Sequence, residues 1–139
     1  MKPYARAFAA GFVSTLIFHQ GVLLLFYLMG AIPAAPWSLV PTVPLGVPSV
    51  ISLSFWAGVW GIALWPLLRG ASGSAYWIRA IVLGAIGPTV VAFLIVAPLK
   101  GRAFGMGWEA KLWIGGFIVN AAWGFGLAVL IRWFRRLGF

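Results

Sequence analysis

Residues 7–30 read AFAAGFVSTLIFHQGVLLLFYLMG, a stretch without Asp, Glu, Lys or Arg. The uncharged sequence continues to Leu68, so no Asp, Glu, Lys or Arg lies between Arg6 and Arg69. A charged side chain near the centre of a bilayer costs about 2.5–3.5 kcal/mol on insertion scales. So long an uncharged stretch is typical of a membrane protein, and it sets the class of fold that we expect.

Composition supports the same class for the whole chain. The 139 residues are 63% hydrophobic and 8% charged, whereas soluble domains carry about 25% charged residues. We expect one membrane domain over residues 1–139, with no room for a separate soluble domain. Cysteine is absent and Glu109 is the only carboxylate side chain. Disulfides, thiolate metal sites, Ser-His-Asp triads and carboxylate pairs therefore lack their residues, and we expect a protein that is not an enzyme.

Four apolar runs are long enough to cross a bilayer, for which about 20 residues are needed. They lie at residues 8–30, 49–68, 77–97 and 112–131. The first run is longer than the apolar region of a typical signal peptide, so we expect it to remain as a helix. The sequence thus predicts an all-α integral membrane protein, a bundle of four transmembrane helices.

Basic residues predict the orientation of these helices. Four spans place both termini on one side, with most of the basic residues: Lys2, Arg6, Arg69, Arg79, Arg132, Arg135 and Arg136. The other side has Lys100, Arg102 and Lys111. The positive-inside rule then predicts cytoplasmic termini, and we expect the inner membrane of a bacterium. We attribute the net charge of +9 to orientation and to anionic lipid headgroups, and we expect no nucleic-acid partner.

The connection between the first two runs, residues 31–48, is rich in proline, at positions 33, 36, 41, 44 and 48. Proline at this density prevents a regular helix and favours extended or turn backbone. We predict an outer loop. It is uncharged although it lies outside the hydrocarbon core. This indicates that it rests on lipid, on the protein's own helices or on a partner.

A weak internal repeat relates the two halves of the chain. Arg-Ala-x3-Gly begins at Arg6 and again at Arg79, and Trp-Gly-x7-Arg begins at Trp60 and again at Trp123. Both halves start and end on the same side, so the repeat would form two tandem helical hairpins related in parallel about an axis near the membrane normal. Chance similarity is the alternative, because Arg at span ends and Gly within spans are common.

His19 lies near the middle of the first span, beside Gln20, and an ionisable residue there is a candidate for function. Three interpretations remain open for its role: hydrogen bonding within the bundle, contact with a proton or substrate, and axial ligation of a haem or chlorophyll. A bis-histidine haem would need a second His, which the chain lacks. Thr89 is a further candidate, because it follows Pro88, whose ring can kink the third helix and expose carbonyl groups.

Asn120 lies near the middle of the fourth span, with Gly116 and Gly124 four residues to either side. Small residues at this spacing allow two helices to approach closely, and a central Asn can hydrogen-bond across the contact. We predict a helix-packing face here, with ligand contact by Asn120 as the alternative.

Three tryptophans lie deeper in the spans than the membrane interface, at Trp56, Trp60 and Trp123. Buried indole N–H groups need acceptors. These residues are either packing residues between helices or the lining of a groove for a flat hydrophobic ligand such as a quinone.

The sequence leaves three functions open. The favoured one is an accessory or structural subunit of a larger membrane complex, or a self-associating bundle. Its partners would be lipids and other membrane subunits or further copies of the chain. The alternatives are a small channel or carrier with polar groups at mid-membrane, and a subunit that binds pigment, haem or quinone. No cofactor is specified by any motif.

Overall fold

The computed structural model describes residues 2–139, and in that range it contains four long helices and no β-strand. They are α1, Pro3–Leu28; α2, Ser49–Leu68; α3, Gly73–Leu99; and α4, Ala110–Arg136. Each is long and apolar enough to span a membrane. The predicted all-helical class with four candidate spans is confirmed. Helices α1, α3 and α4 begin before the predicted apolar runs, and α3 and α4 also end after them.

The chain passes up, down, up and down through the bundle. Helix α1 packs against both α2 and α4, α3 packs against α4, and the contact of α2 with α3 is the smallest of these four neighbouring pairs. The Nε of Arg6 donates a hydrogen bond to the backbone oxygen of Phe139 at 2.7 Å, which brings both termini to one end. We call this the terminal end; it includes the turn at residues 69–72. The opposite end, with residues 29–48 and 100–109, is the loop end.

Glycine allows very close approach within each helical pair. A Cβ atom added to Gly61 of α2 would collide with the backbone oxygen of Ala7 in α1. In the second pair, a Cβ atom on Gly124 of α4 would collide with the backbone oxygen of Ala80 in α3. These are equivalent positions of the sequence pattern, so both hairpins use the same glycine–alanine contact.

A second contact follows the same correspondence. Gly11 faces the backbone oxygen of Ala57, and Gly84 faces that of Asn120. Adding 73 to a position in α1 gives its equivalent in α3, and adding 63 to a position in α2 gives its equivalent in α4. We use equivalent in this sense below.

The two connections at the loop end differ because the helices that they join differ in length. Helix α2 is six residues shorter than α1, a difference of about 9 Å at 1.5 Å per residue. The chain must therefore descend between the end of α1 and the start of α2. Helices α3 and α4 have 27 residues each, and a short segment containing the 3-10 turn Phe104–Trp108 joins them.

The buried core lies toward the terminal end. Most of its members belong to the middle and the terminal half of the helices, and it comprises Ala7, Ala10, Leu64, Leu68, Tyr76, Ala80, Trp123, Leu127, Ala128, Leu130 and Ile131. Toward the loop end, α1 and α3 each contain a π-turn, Thr15–His19 and Ala92–Val96. The helix of α3 continues through Pro88.

Candidate functional site beneath the proline-rich loop

A chain of hydrogen bonds links the middle of α1 to the loop. The side chain of Gln20 is buried, with 4% of its surface exposed. Its Oε1 accepts a hydrogen bond from the backbone N–H of Trp37 at 2.7 Å. Its Nε2 lies 3.3 Å from Nδ1 of His19. The polar pair predicted inside the first span is therefore in contact with a residue of the loop.

The π-turn in α1 provides a second attachment point for Trp37. The backbone N–H of Gln20 bonds to the carbonyl groups of Thr15 and Ile17. The carbonyl of Leu16 thus lacks the donor that it would have in an α-helix, four residues later. The indole Nε1–H of Trp37 donates to this carbonyl at 2.9 Å. The π-turn and the indole form a matched acceptor and donor.

These bonds bring the loop back along α1. Gln20 and Leu16 precede the end of the helix at Leu28 by eight and twelve residues, which corresponds to about 12 and 18 Å. The loop therefore rests on the protein's own helix, one of the three supports that its uncharged sequence allowed. Trp37 has a φ of 54°, a left-handed conformation that is uncommon for a residue other than glycine.

The rest of the loop is also fixed by hydrogen bonds. The carbonyl of Ser38 accepts from the backbone N–H of Val50 at 3.0 Å, and the carbonyl of Val40 accepts from that of Ser49 at 2.9 Å. The tip is a tight turn in which the backbone N–H of Thr42 donates to Val47 at 2.9 Å. Apolar side chains extend outward from this fixed backbone: Leu39, Val40, Val43 and Leu45, the last two 96% and 84% exposed.

The bonding of Gln20 also determines what His19 can do. Because Gln20 Oε1 accepts from Trp37, the amide N–H of Gln20 faces His19, so Nδ1 of His19 is an acceptor and the ring proton lies on Nε2. The arrangement therefore suits a hydrogen-bond donor at Nε2.

Thr89 and Asn120 pair with each other in the second hairpin. Nδ2 of Asn120 donates to Oγ1 of Thr89 at 2.8 Å, and Thr89 is fully buried. A Cβ atom on Gly116 would meet the side chain of Thr89 at 3.1 Å, so the glycine leaves room for this pair. The contact joins α3 to α4. It is separate from the His19–Gln20–Trp37 chain, and no hydrogen bond within residues 2–139 connects the two.

The three deep tryptophans have different surroundings. Trp123 is 2% exposed, and its indole donates to the carbonyl of Gly11 in α1 at 3.0 Å. Trp60 of α2 contacts Gly87 of α3. Trp56 is exposed. Because they face α1, α3 and the exterior, they do not line one common groove.

The remaining buried hydroxyl groups bond to backbone carbonyls. Ser14 donates to Trp123 at 2.7 Å, and Ser54 donates to Val50 at 2.8 Å. Thr15 donates to Gly11 at 3.3 Å. Over residues 2–139, no buried side-chain nitrogen or oxygen lacks a hydrogen-bond partner. The buried polar side-chain atoms of the helices are thus engaged in hydrogen bonds.

Two groups of this site were not predicted from the sequence: Trp37 and the carbonyl of Leu16. Trp37 is the only tryptophan in the uncharged loop, which is a usable signal, since an indole N–H in an apolar segment needs an acceptor. The free carbonyl depends on the π-turn, for which the residue pattern gives no signal.

Comparison of the chain with protein-family models, curated proteins and solved structures found no match.

Proposed function

We propose that this chain is an integral membrane protein of the bacterial inner membrane and acts as an accessory or structural subunit of a larger membrane complex or as a self-associated bundle. Both termini lie in the cytoplasm, and the two hairpins form a parallel tandem repeat. The equivalent contacts at Gly61 and Gly124 support the repeat, and the excess of basic residues at the terminal end supports the orientation.

The main support for this proposal is the structure of the proline-rich loop, residues 31–48. Its backbone is held to α1 and to the start of α2 by hydrogen bonds, yet Val43 and Leu45 are almost fully exposed. Fixing a loop costs conformational entropy, and a fixed loop whose apolar side chains face outward has the properties of a preorganised binding element. A neighbouring membrane subunit or a second copy would cover these side chains.

The polar residues of the helices support a structural role over transport. Asn120 and Thr89 bond to each other, and Gln20 bonds to His19 and Trp37. A transport path or substrate site needs polar groups that are free to exchange partners, whereas these are engaged in packing.

The test is mass spectrometry of the intact complex, extracted with its native lipids in mild detergent. We expect an assembly heavier than the 15.0 kDa chain. A mass equal to two or more chains, with or without lipid, would identify self-association, and additional mass of the size of a protein would identify a partner subunit. A protein that is only monomeric under these conditions would contradict the proposal.

A matched pair of variants assigns the contact to the loop. Leu45→Asp places a charge at the tip of the loop, and Leu99→Asp places one at the end of α3, where the leucine is 81% exposed. We expect Leu45→Asp to remove the assembly and Leu99→Asp to retain it. Equal retention or equal loss in the two variants would show that the loop is not the binding element.

A further inference from the structure

A cleft of about 350 Å³ opens between α2 and α3 near the terminal end of the bundle. Its lining is apolar apart from one arginine and consists of Leu67, Ile78, Arg79, Val82 and Leu83. Leu67 is one residue from the end of α2. The cleft thus runs along the helices and ends where the charged residues of the terminal end begin.

The internal repeat allows the residues of this cleft to be compared with their equivalents in α1. Ile78, Val82 and Leu83 in α3 are equivalent to three alanines in α1, at positions 5, 9 and 10. Alanine at position 10 is fully buried in the core with α4. Small residues allow membrane helices to approach closely. At the equivalent positions α3 carries larger side chains, and Ile78 and Val82 are 59% and 45% exposed along the cleft.

Arg79 lies at the edge of the cleft. Its Nη1 donates to the carbonyl of Leu67 at 3.2 Å, one of the last carbonyls of α2. A guanidinium group has five N–H donors, and within residues 2–139 this is the only hydrogen bond of the Arg79 side chain. Because the side chain is exposed, its other donors can bind an oxyanion at the end of the apolar cleft.

The charge of the terminal end favours an anion at this place. It holds most of the basic residues, while the single carboxylate side chain, Glu109, is at the loop end. Arginine binds phosphate through paired hydrogen bonds. An apolar cleft that ends at an exposed arginine, in a basic region, suits a ligand with a long apolar chain and an anionic head.

We propose that the α2/α3 cleft is a binding site for an anionic phospholipid, with an acyl chain along Ile78, Val82 and Leu83 and the headgroup phosphate on Arg79. The site depends on the helices lying in a membrane. It does not depend on the loop or on any partner protein.

The test is native mass spectrometry of the purified chain in detergent, titrated with phosphatidylglycerol or with phosphatidylcholine of the same acyl chains. We expect one tightly retained phosphatidylglycerol and weaker retention of phosphatidylcholine. Arg79→Leu should weaken phosphatidylglycerol binding about fivefold, the effect of roughly one favourable charge at a membrane surface. Arg6→Leu is the matched control, since Arg6 is the equivalent residue beside the closed α1/α4 contact and its variant should bind as the unaltered chain does.

A second variant tests the cleft itself without changing the charge. Val82→Trp fills the apolar space from a side chain that is already partly exposed, and we expect it to displace the lipid while circular dichroism shows an unchanged helix content. Equal weakening by Arg6→Leu and Arg79→Leu would show general charge attraction and overturn the site. Undiminished binding of phosphatidylglycerol by the Val82→Trp variant would also overturn the proposed site.

Discussion

The contact of α1 with α4 and the contact of α2 with α3 are equivalent in the two hairpins, but only the first is closed. In the α1/α4 contact, Trp123 is buried and its indole bonds to Gly11. Its equivalent in the α2/α3 contact, Trp60, is only half-buried and leans against Gly87. No hydrogen bond of the Trp60 indole occurs in the part of the chain that the structure describes. Two segments that share a sequence pattern thus form two different interfaces.

The difference indicates that side-chain size determines how closely two helices approach in an apolar bundle. Hydrophobicity does not distinguish the two contacts, because leucine and valine side chains are equally favourable in contact with lipid and with protein. The size of the side chains does: α1 carries alanine at positions 5, 9 and 10, of which Ala10 is fully buried, whereas α3 carries Ile78, Val82 and Leu83 along the cleft. Close packing, and not removal from water, stabilises membrane helix pairs.

The largest expected effect comes from the two tryptophans. Trp123→Ala empties a buried site and leaves the Gly11 carbonyl without its indole donor. We expect a loss of about 3–5 kcal/mol in the free energy of unfolding, measured by denaturing-detergent titration in mixed micelles. Trp60→Ala should cost about 1 kcal/mol, because its site is already partly open. Equal losses would mean that the two contacts are equally packed.

Two glycines give the next effect. A Cβ atom on Gly126 of α4 would collide with Ser14 and Phe18 of α1, whereas one on Gly87 of α3 meets the movable ring of Trp60 at 3.0 Å. Gly126→Ala should destabilise by about 1–2 kcal/mol, as overpacking exceeds the gain in helix propensity. We expect Gly87→Ala to be neutral or to stabilise by up to about 1 kcal/mol. The same titration measures both, and a stabilising Gly126→Ala would contradict a tightly closed α1/α4 contact.

The loop-end connections offer a smaller, matched test. The indole of Trp37 donates to Leu16, and the indole of Trp113 donates to Gly105 at 2.9 Å. Trp37→Phe removes one hydrogen bond, worth about 1 kcal/mol, and should speed amide hydrogen exchange at Ser49 and Val50. Trp113→Phe should leave those two amides unchanged. Unaltered exchange in Trp37→Phe would show that the indole does not hold the loop.

The smallest effect concerns the Asn120–Thr89 pair of side chains between α3 and α4. Asn120→Ala removes the hydrogen bond to Thr89 and should cost about 0.6 kcal/mol, the average for such bonds between membrane helices. The equivalent position in α2 is already alanine, Ala57, so the hairpin contact tolerates the smaller residue. A loss above about 2 kcal/mol would give Asn120 a larger role than the average interhelical bond.

The helices were predictable because each is an apolar run bounded by charge or by proline and glycine, as between Arg69 and Gly73. The Gly116–Asn120–Gly124 face was visible from its four-residue spacing. The attachment of Trp37 to the middle of α1 was not, since it depends on a π-turn and on the different lengths of α1 and α2. The open cleft was not predictable either, because the larger residues of α3 indicate a difference from α1 only when they are aligned with its alanines.

Reciprocal exchange of the three side chains tests most directly whether their size decides which contact closes. One variant carries Ala5→Ile, Ala9→Val and Ala10→Leu, and the other carries Ile78→Ala, Val82→Ala and Leu83→Ala. The measurement is the free energy of unfolding of each in mixed micelles. We predict that the first variant loses about 3 kcal/mol, because Ala10→Leu overpacks a fully buried position and Ala9→Val a half-buried one. We predict that the second stays within about 1 kcal/mol of the unaltered chain. Equal losses, or a larger loss in the second variant, would contradict the account.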